Sequence, residues 1–245
     1  MKYCMFVIIL AVLSSCGIYR QNVVNVPLMQ HQGQVQLGGH IGFTGYDFQA
    51  SGALTKHIGL IANYSNTGTN RNVYTPINYD TFKHSFKEAG AGYYTKNPKG
   101  LISEYFLIFG KGISSREGAG GVAPDVLPGP YKYSRSANYN RFLFQADFGK
   151  SIDKLEYSFS PRIFVLNFYN ITDSQNDAYK QLPNIFVWTD YALTMRYMII
   201  KNIKIAGQIT FTIPITGYKA GYYEASPVNG SIGLLVNLNL FGKNP

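Results

Sequence analysis

Thiols are the most reactive side chains in this sequence, and their position along the chain does not suggest a disulfide pair. Cys16 follows a segment that begins with Lys2, continues through an apolar stretch over residues 5–13 and ends in the small residues Ser14-Ser15. This order of features is that of a secretory signal with a small-residue cleavage site. The apolar stretch is too short to span a bilayer as a helix. A cysteine at the cleavage site therefore predicts thiol chemistry outside the cytoplasm.

The run Leu13-Ser14-Ser15-Cys16 resembles the lipobox of bacterial lipoproteins. In that family the chain is cut before the cysteine, and the thiol and the new amino group are then acylated. The resemblance implies a signal peptide over residues 1–15 and lipidation of Cys16, whereas the competing interpretation is an ordinary signal peptide with an incidental cysteine. Because Cys4 leaves with the signal, an acylated Cys16 leaves no disulfide, zinc cluster or thiol nucleophile in the mature chain.

Composition indicates a surface that faces an apolar medium. Charged residues make up only 14% of the chain and aromatic residues 15%, whereas about a quarter of an ordinary soluble domain is charged. The formal net charge is +9, and it becomes +8 when Lys2 is removed with the signal. For a lipid-anchored exported protein, anionic lipid headgroups match this charge better than nucleic acid does.

From residue 34 onward, segments of period two are separated by turn residues, and no convincing helix is present. Over residues 203–213, for example, Ile and Phe alternate with Lys204, Gln208 and Thr210, which predicts a strand with one apolar and one polar face. The predicted strands cover residues 35–43, 46–54, 57–66, 81–95, 101–112, 138–149, 154–168, 184–197, 203–213 and 230–240. Most are long enough to cross a bilayer. The predicted fold is all-β, an antiparallel up-and-down transmembrane β-barrel of about ten strands over residues 33–245.

The connections between these strands alternate in length. Even-to-odd connections are tight, at residues 55–56, 97–100, 150–153 and 198–202, whereas most odd-to-even connections are long, at 67–80, 113–137, 169–183 and 214–229. Short turns at one end and long loops at the other are typical of outer-membrane barrels, whose short turns are periplasmic. An even number of strands places both chain ends at the short-turn end. Residues 16–32 are therefore predicted to form a lipidated tether on the periplasmic side, with the loops outside.

Several charged residues fall on the polar face of the strands and are predicted to point into the lumen. They are Arg141, Asp147, Glu156, Arg162, Asp190 and Arg196. An unpaired charge in a narrow lumen is costly, so we expect Arg162 to meet Asp190 or Asp147 from a neighbouring strand. These residues are predicted to form a paired polar core that fills the barrel, and a small pore is the alternative.

The sequence contains no motif that predicts catalysis. It has no nucleophile elbow, P-loop, dinucleotide fingerprint or zinc-binding helix motif. Some small outer-membrane barrels are proteases that use Asp and His near the loop rim. The corresponding positions here carry Asp80, His84, Asp173 and Asp177, without an adjacent pair. We therefore predict no catalytic residues, no metal site and no cofactor.

The longest predicted loop, residues 113–137, carries the candidate contact residues. These are Arg116, Tyr131, Lys132, Tyr133 and Arg135. Tyrosine and arginine are enriched at the anchoring positions of protein interfaces, so this loop predicts a protein partner. The same cations could instead bind the phosphates of lipopolysaccharide.

The chain after the signal also resembles a known group of proteins. The residues that carry the resemblance are Asn25-Val26-Pro27-Leu28, Gly33-Gln34-Val35, Tyr46-Asp47-Phe48-Gln49-Ala50 and Leu54-Thr55-Lys56-His57-Ile58-Gly59-Leu60. The group is that of uncharacterised Bacteroidota-type outer-membrane β-barrel lipoproteins, with a tether that ends in Asn-x-Pro and a Gln-Ala hairpin. In that phylum, acidic residues after the lipidated cysteine direct lipoproteins to the cell surface. Since Gly17-Ile18-Tyr19-Arg20 contains none, the resemblance implies retention on the periplasmic leaflet, and it implies no activity.

These observations predict a lipid-anchored outer-membrane β-barrel that acts as a non-catalytic structural or interaction component. Its partners would be outer-membrane lipids and proteins bound through the outer loops or the tether. The first alternative is a soluble periplasmic barrel of lipocalin type that holds an apolar ligand, in which Arg162, Asp190 and Gln208 would face solvent. A small pore or an outer-membrane enzyme is the remaining alternative.

Overall fold

The computed structural model describes residues 19–72, 79–120, 131–174, 184–216 and 227–240, and these residues form a closed antiparallel barrel. Each strand pairs with its neighbours in the sequence, and the first strand closes the barrel against the last. The strands are β1 (Gln34–Gly42), β2 (Gly45–Ala53), β3 (Ile58–Asn72), β4 (Tyr79–Lys96), β5 (Leu101–Gly120), β6 (Tyr131–Ile152), β7 (Leu155–Asp173), β8 (Ile185–Ile200), β9 (Ile203–Pro214) and β10 (Val228–Asn239). The predicted all-β barrel of ten antiparallel strands is confirmed. Within the described ranges, none of the chain forms a helix of the length and hydropathy needed to cross a membrane.

The alternation along each strand places apolar side chains outside and polar side chains inside. On β9, Ile209 and Phe211 are exposed, whereas Gln208 and Thr210 between them are buried in the lumen. Arg162 is also buried in the lumen. The lipocalin-type alternative required the opposite orientation, with the polar face in solvent, and it is therefore wrong.

The barrel wall is much taller on one side than on the other. Strands β1 and β2 have nine residues each, whereas β5 has 20 and β6 has 22. The predicted loop over residues 113–137 is wrong in extent, because β5 continues to Gly120 and β6 begins at Tyr131. In this upper region both faces of the strands carry polar residues, so the period-two pattern disappears while the pairing of β5 with β6 continues.

The tight turns at the other end fall where the sequence predicts them. Two of them place a residue in the left-handed region, with φ of 52° at Asp153 and 70° at Asn202. Asn and Asp tolerate this conformation better than most residues, and two-residue hairpins that match the strand twist require it. We call this end of the barrel the short-turn end and the opposite end the loop end.

Candidate functional site in the barrel lumen

The lumen of the barrel is occupied by the chain's own N-terminal segment, residues 19–29, which we call the plug segment. All of its residues except Arg20 are buried. The sequence placed these residues in a tether outside the barrel at the short-turn end, and for residues 19–29 this prediction is wrong. The physical reason is that inward-facing side chains of several strands bind the polar groups of the plug segment. Cys16 lies outside the described residues.

Near the short-turn end, a single carboxylate holds the plug segment. Glu104 on β5 accepts hydrogen bonds from the backbone N–H groups of Leu28, at 3.0 Å, and Met29, at 2.6 Å. Leu28 has a φ of 52°, a conformation that residues other than glycine rarely adopt. These two bonds stabilise it. A Cβ atom at Gly149 on β6 would collide with the Leu28 side chain, so this glycine leaves the space that Leu28 fills.

In the middle of the lumen, two side-chain amides and one carboxylate of the wall take the place of a neighbouring strand. Gln208 accepts from the backbone N–H of Val24 at 2.7 Å and donates to its carbonyl at 2.9 Å. Val23 is held in the same way, since its N–H binds Asp47 at 3.1 Å and its carbonyl accepts from Gln49 at 2.9 Å. Buried backbone groups require such partners. The inward-facing polar residues therefore serve the plug segment as well as one another.

Arg141 on β6 holds the half of the plug segment that is nearer the loop end. Its guanidinium donates to the hydroxyl of Tyr19 at 2.6 Å and to the side-chain oxygen of Asn22 at 2.8 Å, and it forms a buried ion pair with Glu88 on β4. Glu88 also accepts from Asn22 at 2.8 Å and from Asn63 at 2.6 Å. The alternation of the sequence predicts Arg141 in the lumen but does not predict Glu88 there, because the Gly and Ala residues that follow Glu88 weaken the alternation of β4.

Other charged side chains of the lumen form ion pairs between wall strands, and Asp147 is held by an amide instead. Arg162 and Asp190 form a buried ion pair between β7 and β8, which confirms one of the two partners predicted for Arg162. Glu156 accepts from Lys204 at 2.5 Å and lies 3.7 Å from a guanidinium nitrogen of Arg196. Asp147, the other predicted partner, instead accepts from the Gln145 amide at 2.8 Å. The predicted polar core therefore consists of ion pairs, of acids held by N–H groups and of the plug segment.

Aromatic side chains pack around the start of the plug segment. The ring of Tyr19 lies 5.3 Å from that of Trp188, 5.6 Å from that of Tyr139 and 6.2 Å from that of Phe164. His84 belongs to the same cluster, where it is buried and hydrogen-bonds the Tyr139 hydroxyl at 2.6 Å. The edge-to-face contacts of Tyr19 with Tyr139 and Trp188 are favourable geometries for aromatic pairs. This cluster covers the plug segment on the side of the loop end.

Among the acids and the histidine considered for a protease-like rim, His84 and Asp173 lie in separate surroundings. His84 lies inside the aromatic cluster, Asp80 lies on β4, and Asp173 forms an ion pair with Arg135 at 2.9 Å. Asp177 lies outside the described residues. Within the described part of the chain, no group of three or more His, Cys, Asp or Glu residues is arranged to hold a metal ion.

The five predicted contact residues lie on strands, not in a flexible loop. Arg116 on β5 pairs directly with Arg135 on β6, Lys132 and Tyr133 also lie on β6, and Tyr131 begins that strand. Arg135 lies 6.0 Å from the Tyr133 ring and is tied to β7 through Asp173. The connection itself, residues 121–130, lies outside the described residues. The contact residues therefore lie on an extension of the wall at the loop end. We call this part, residues 114–120 of β5 and 131–137 of β6, the β5–β6 extension.

No protein-family model matches this sequence, and no curated protein matches it. Among solved structures, the chain is similar to the translocator domain of autotransporter NalP from Neisseria meningitidis, with 10% identity, 83% of this chain and 86% of that chain covered, and a TM-score of 0.46. It is also similar to the outer membrane protease OmpT from Escherichia coli, with 7% identity, coverage of 84% and 91%, and a TM-score of 0.46. For the KdgM porin the values are 10% identity, coverage of 83% and 98%, and a TM-score of 0.35. These similarities concern the barrel fold alone.

Proposed function

We propose that this protein is a lipid-anchored outer-membrane β-barrel, closed by its own plug segment, that acts as a structural or interaction component and not as a channel or an enzyme. The observation that carries the proposal is an apolar outer surface around a polar, occupied lumen. Phe109, Leu193 and Ile209, on three different strands, are each about half exposed, at 48%, 55% and 50%. Soluble monomers rarely expose contiguous apolar patches larger than a few hundred Å².

The height of the apolar surface supports a membrane setting. On β5, the outward-facing residues from Leu101 to Ile113 are mostly apolar, with Ser103 and Lys111 as the exceptions. At about 3.3 Å per residue and a strand tilt of about 40°, this stretch rises roughly 30 Å. The apolar band of outer-membrane barrels is about 25 Å tall. In such barrels the long loops face outward, so we assign the loop end to the cell exterior and the short-turn end to the periplasm.

The β5–β6 extension supports an interaction role. It rises beyond the apolar residues of β5 and carries Arg116, Lys132 and Tyr133 on paired strands, with Arg135 fixed to Asp173 of the next strand. Side chains on paired strands lose less conformational entropy on binding than side chains on a flexible loop. Tyrosine and arginine are also the residues that most often anchor protein interfaces. We therefore propose that this extension binds a partner protein.

Purification from native membranes tests this role. We expect wild-type protein to fractionate with the outer membrane and to retain partner proteins. The double variant Arg116→Ser/Lys132→Ser should lose these partners. It should still show the difference in gel mobility between unheated and heated samples that marks a folded barrel. Lys99→Ser, at the short-turn end, is the matched control and should retain them.

The alternatives give different results in the same experiment. Loss of co-purified lipopolysaccharide without loss of any protein would show that the extension binds lipid phosphates. An unchanged set of proteins in the double variant would refute binding through the extension. Wild-type protein that carries no partner, or that does not fractionate with the outer membrane, would refute the interaction role or the membrane setting, respectively.

A further inference from the structure

Two lysine side chains lie opposite each other on the outer surface of the barrel. The strand register pairs Lys87 on β4 directly with Lys111 on β5, and both are exposed on the face that carries the apolar residues. We call these two residues the lysine pair. Directly opposed residues of an antiparallel pair have Cβ atoms about 5 Å apart, and two like charges in this arrangement are destabilising. The salt bridges found among the described residues include neither lysine.

The lysine pair lies at the upper edge of the apolar surface. β5 begins with Leu101 at the short-turn end and reaches Lys111 ten residues later. At about 3.3 Å per residue and a strand tilt of about 40°, this stretch rises roughly 25 Å. The apolar band of outer-membrane barrels has the same height, about 25 Å. The lysine pair is therefore at the level where the hydrocarbon of a bilayer meets the headgroups.

A pocket of about 290 Å³ opens beside the two ammonium groups. It is lined by Lys87, Glu88, Ala89, Phe109, Gly110 and Lys111. The Lys111 ammonium lies 5.9 Å from the centre of the Phe109 ring, which is the next outward-facing residue toward the short-turn end. It is thus turned toward the pocket, whereas a lysine that only reaches for water extends away from apolar surface. The Glu88 carboxylate binds Arg141 inside the lumen, so it does not neutralise this pocket.

Below the pocket, small side chains leave a groove along β4. Ala89 and Ala91 are the next two outward-facing residues of this strand, and both are exposed. The larger side chains of Phe109 and Leu107 lie directly opposite them on β5. Tyr93 is the following outward-facing residue and ends the groove. From the lysine pair to Tyr93 the strand rises about 15 Å, which is half of a hydrocarbon core of about 30 Å. The groove therefore has the length of one leaflet.

We propose that the lysine pair binds a phosphate of lipopolysaccharide, and that an acyl chain of its lipid A lies in the groove over Ala89 and Ala91. A phosphate between the two ammonium groups replaces their repulsion with two attractions, and lysine binds phosphate as a point charge. The site lies below the β5–β6 extension and uses none of its residues. The proposal rests on the membrane setting and on the orientation given under the proposed function, which together place the lysine pair in the outer leaflet.

Native mass spectrometry of the full-length protein in an uncharged detergent tests the site, with purified lipid A as the probe. The double variant Lys87→Gln/Lys111→Gln should bind lipid A about thirtyfold more weakly than wild type, because each lysine near an anionic lipid contributes about fivefold. Lys83→Gln is the matched control. It lies on the same face of β4, nearer the loop end and opposite Ser115, and it should bind as wild type does. Unchanged binding in the double variant, or an equal loss in the control, would refute the role of the lysine pair.

The stability of the barrel distinguishes lipid binding from a purely structural role of the lysines. It is measured as the urea concentration at which the gel band of the folded, unheated barrel is lost. Without lipid A, Lys111→Gln removes a repulsion, so this concentration should not fall below that of wild type. With lipid A, wild type should become the more stable protein. A variant that is less stable than wild type in both conditions would overturn the proposal.

Other ligands test the phosphate and the acyl chain separately. Dephosphorylated lipid A should bind wild type as weakly as lipid A binds the double variant, and equally tight binding of both lipids would refute a phosphate site. Inorganic phosphate at the same concentration should not displace lipid A, because it leaves the groove empty. Displacement by inorganic phosphate, or equally tight binding of phosphatidylglycerol, would overturn lipopolysaccharide as the specific ligand.

A substitution in the groove tests the position of the acyl chain. Ala89→Phe fills the groove and keeps both lysines, so it should weaken the binding of lipid A. Leu193→Phe adds an aromatic ring to the apolar surface of β8 and should leave the binding unchanged. Equal binding by these two variants would refute the groove as the place of the acyl chain.

Failure of this inference and failure of the proposed function give different results. If the double variant binds lipid A as wild type does, while wild type fractionates with the outer membrane, the site is refuted and the membrane setting stands. Ser174→Cys, exposed at the loop end, reports the orientation through a membrane-impermeant maleimide. Labelling of Ser174→Cys only after the outer membrane is opened would refute the assigned orientation, and with it the outer leaflet as the source of the lipid.

Discussion

Removal of the Arg141 guanidinium should destabilise the barrel and release the plug segment at the same time. In Arg141→Met, a side chain of similar length loses its ion pair with Glu88 and its hydrogen bonds to Tyr19 and Asn22. Breaking a buried ion pair by removing one partner costs about 3–5 kcal/mol. Hydrogen bonds to charged groups contribute about 1.5–3 kcal/mol each. We therefore expect the free energy of unfolding to fall by about 3–5 kcal/mol.

The same substitution should increase the open fraction of the lumen. If the two bonds to the plug segment together hold it by about 3 kcal/mol, their loss raises the fraction of molecules with a released plug by about a hundredfold. Stability is measured in detergent micelles as the urea concentration at which the gel band of the folded, unheated barrel is lost. Opening is measured as conductance in planar bilayers. The expected result is a lower urea midpoint together with channel events that wild type lacks.

Two matched variants separate these effects. Arg162→Met breaks the ion pair with Asp190, which joins two wall strands, so we expect a comparable loss of stability without added conductance. Arg141→Met/Glu88→Gln should recover part of the stability, because no unpaired charge remains, but it should still open the lumen. A wild-type urea midpoint for Arg141→Met, or equal conductance in Arg141→Met and Arg162→Met, would refute the role that we assign to Arg141.

Three further predictions concern packing, the outer surface and the anchor. Gly149→Leu should collide with the Leu28 side chain and produce conductance with little change in the urea midpoint; a closed channel would show that Leu28 has room to move. Ile209→Arg should reduce the free energy of unfolding in vesicles by about 2–4 kcal/mol, because it places a cation near the middle of the apolar band. Ile213→Arg, nearer the loop end, should cost about 1 kcal/mol or less. Equal costs would contradict the assigned membrane position. Cys16→Ser should abolish labelling with radioactive fatty acid and leave the precursor uncut, and labelling that persists in the variant would assign the acyl group to another residue.

Much of the barrel could be predicted because strand alternation is a local property. On β9, the position of Ile209 and Gln208 on opposite faces follows from the period of two alone. Turn residues such as Asp153 and Asn202 fix the short-turn end just as locally. The upper parts of β5 and β6 could not be found in this way, because both faces of these strands are polar around residues such as Arg116 and Lys132. Pairing between the two strands keeps this region extended.

The occupied lumen could not be predicted from local patterns, because its residues are far apart in the sequence. The plug segment has no helical or strand period, and an irregular segment of this kind is equally compatible with an external tether. Glu104, Gln208 and Arg141 come from three different strands, and each binds a different part of the plug segment. Their convergence exists only in the closed barrel.

The sequence by itself determined the all-β class, the number of strands and which face of each strand is apolar, because these depend on side-chain period and turn chemistry within a few residues. Only the tertiary structure decided where residues 19–29 lie and in which direction they run through the lumen. The physical reason is that a closed barrel turns inward-facing polar side chains toward a common axis, where they need partners from outside their own strand. The plug segment supplies those partners, and its direction through the lumen follows from which of its residues each wall side chain binds.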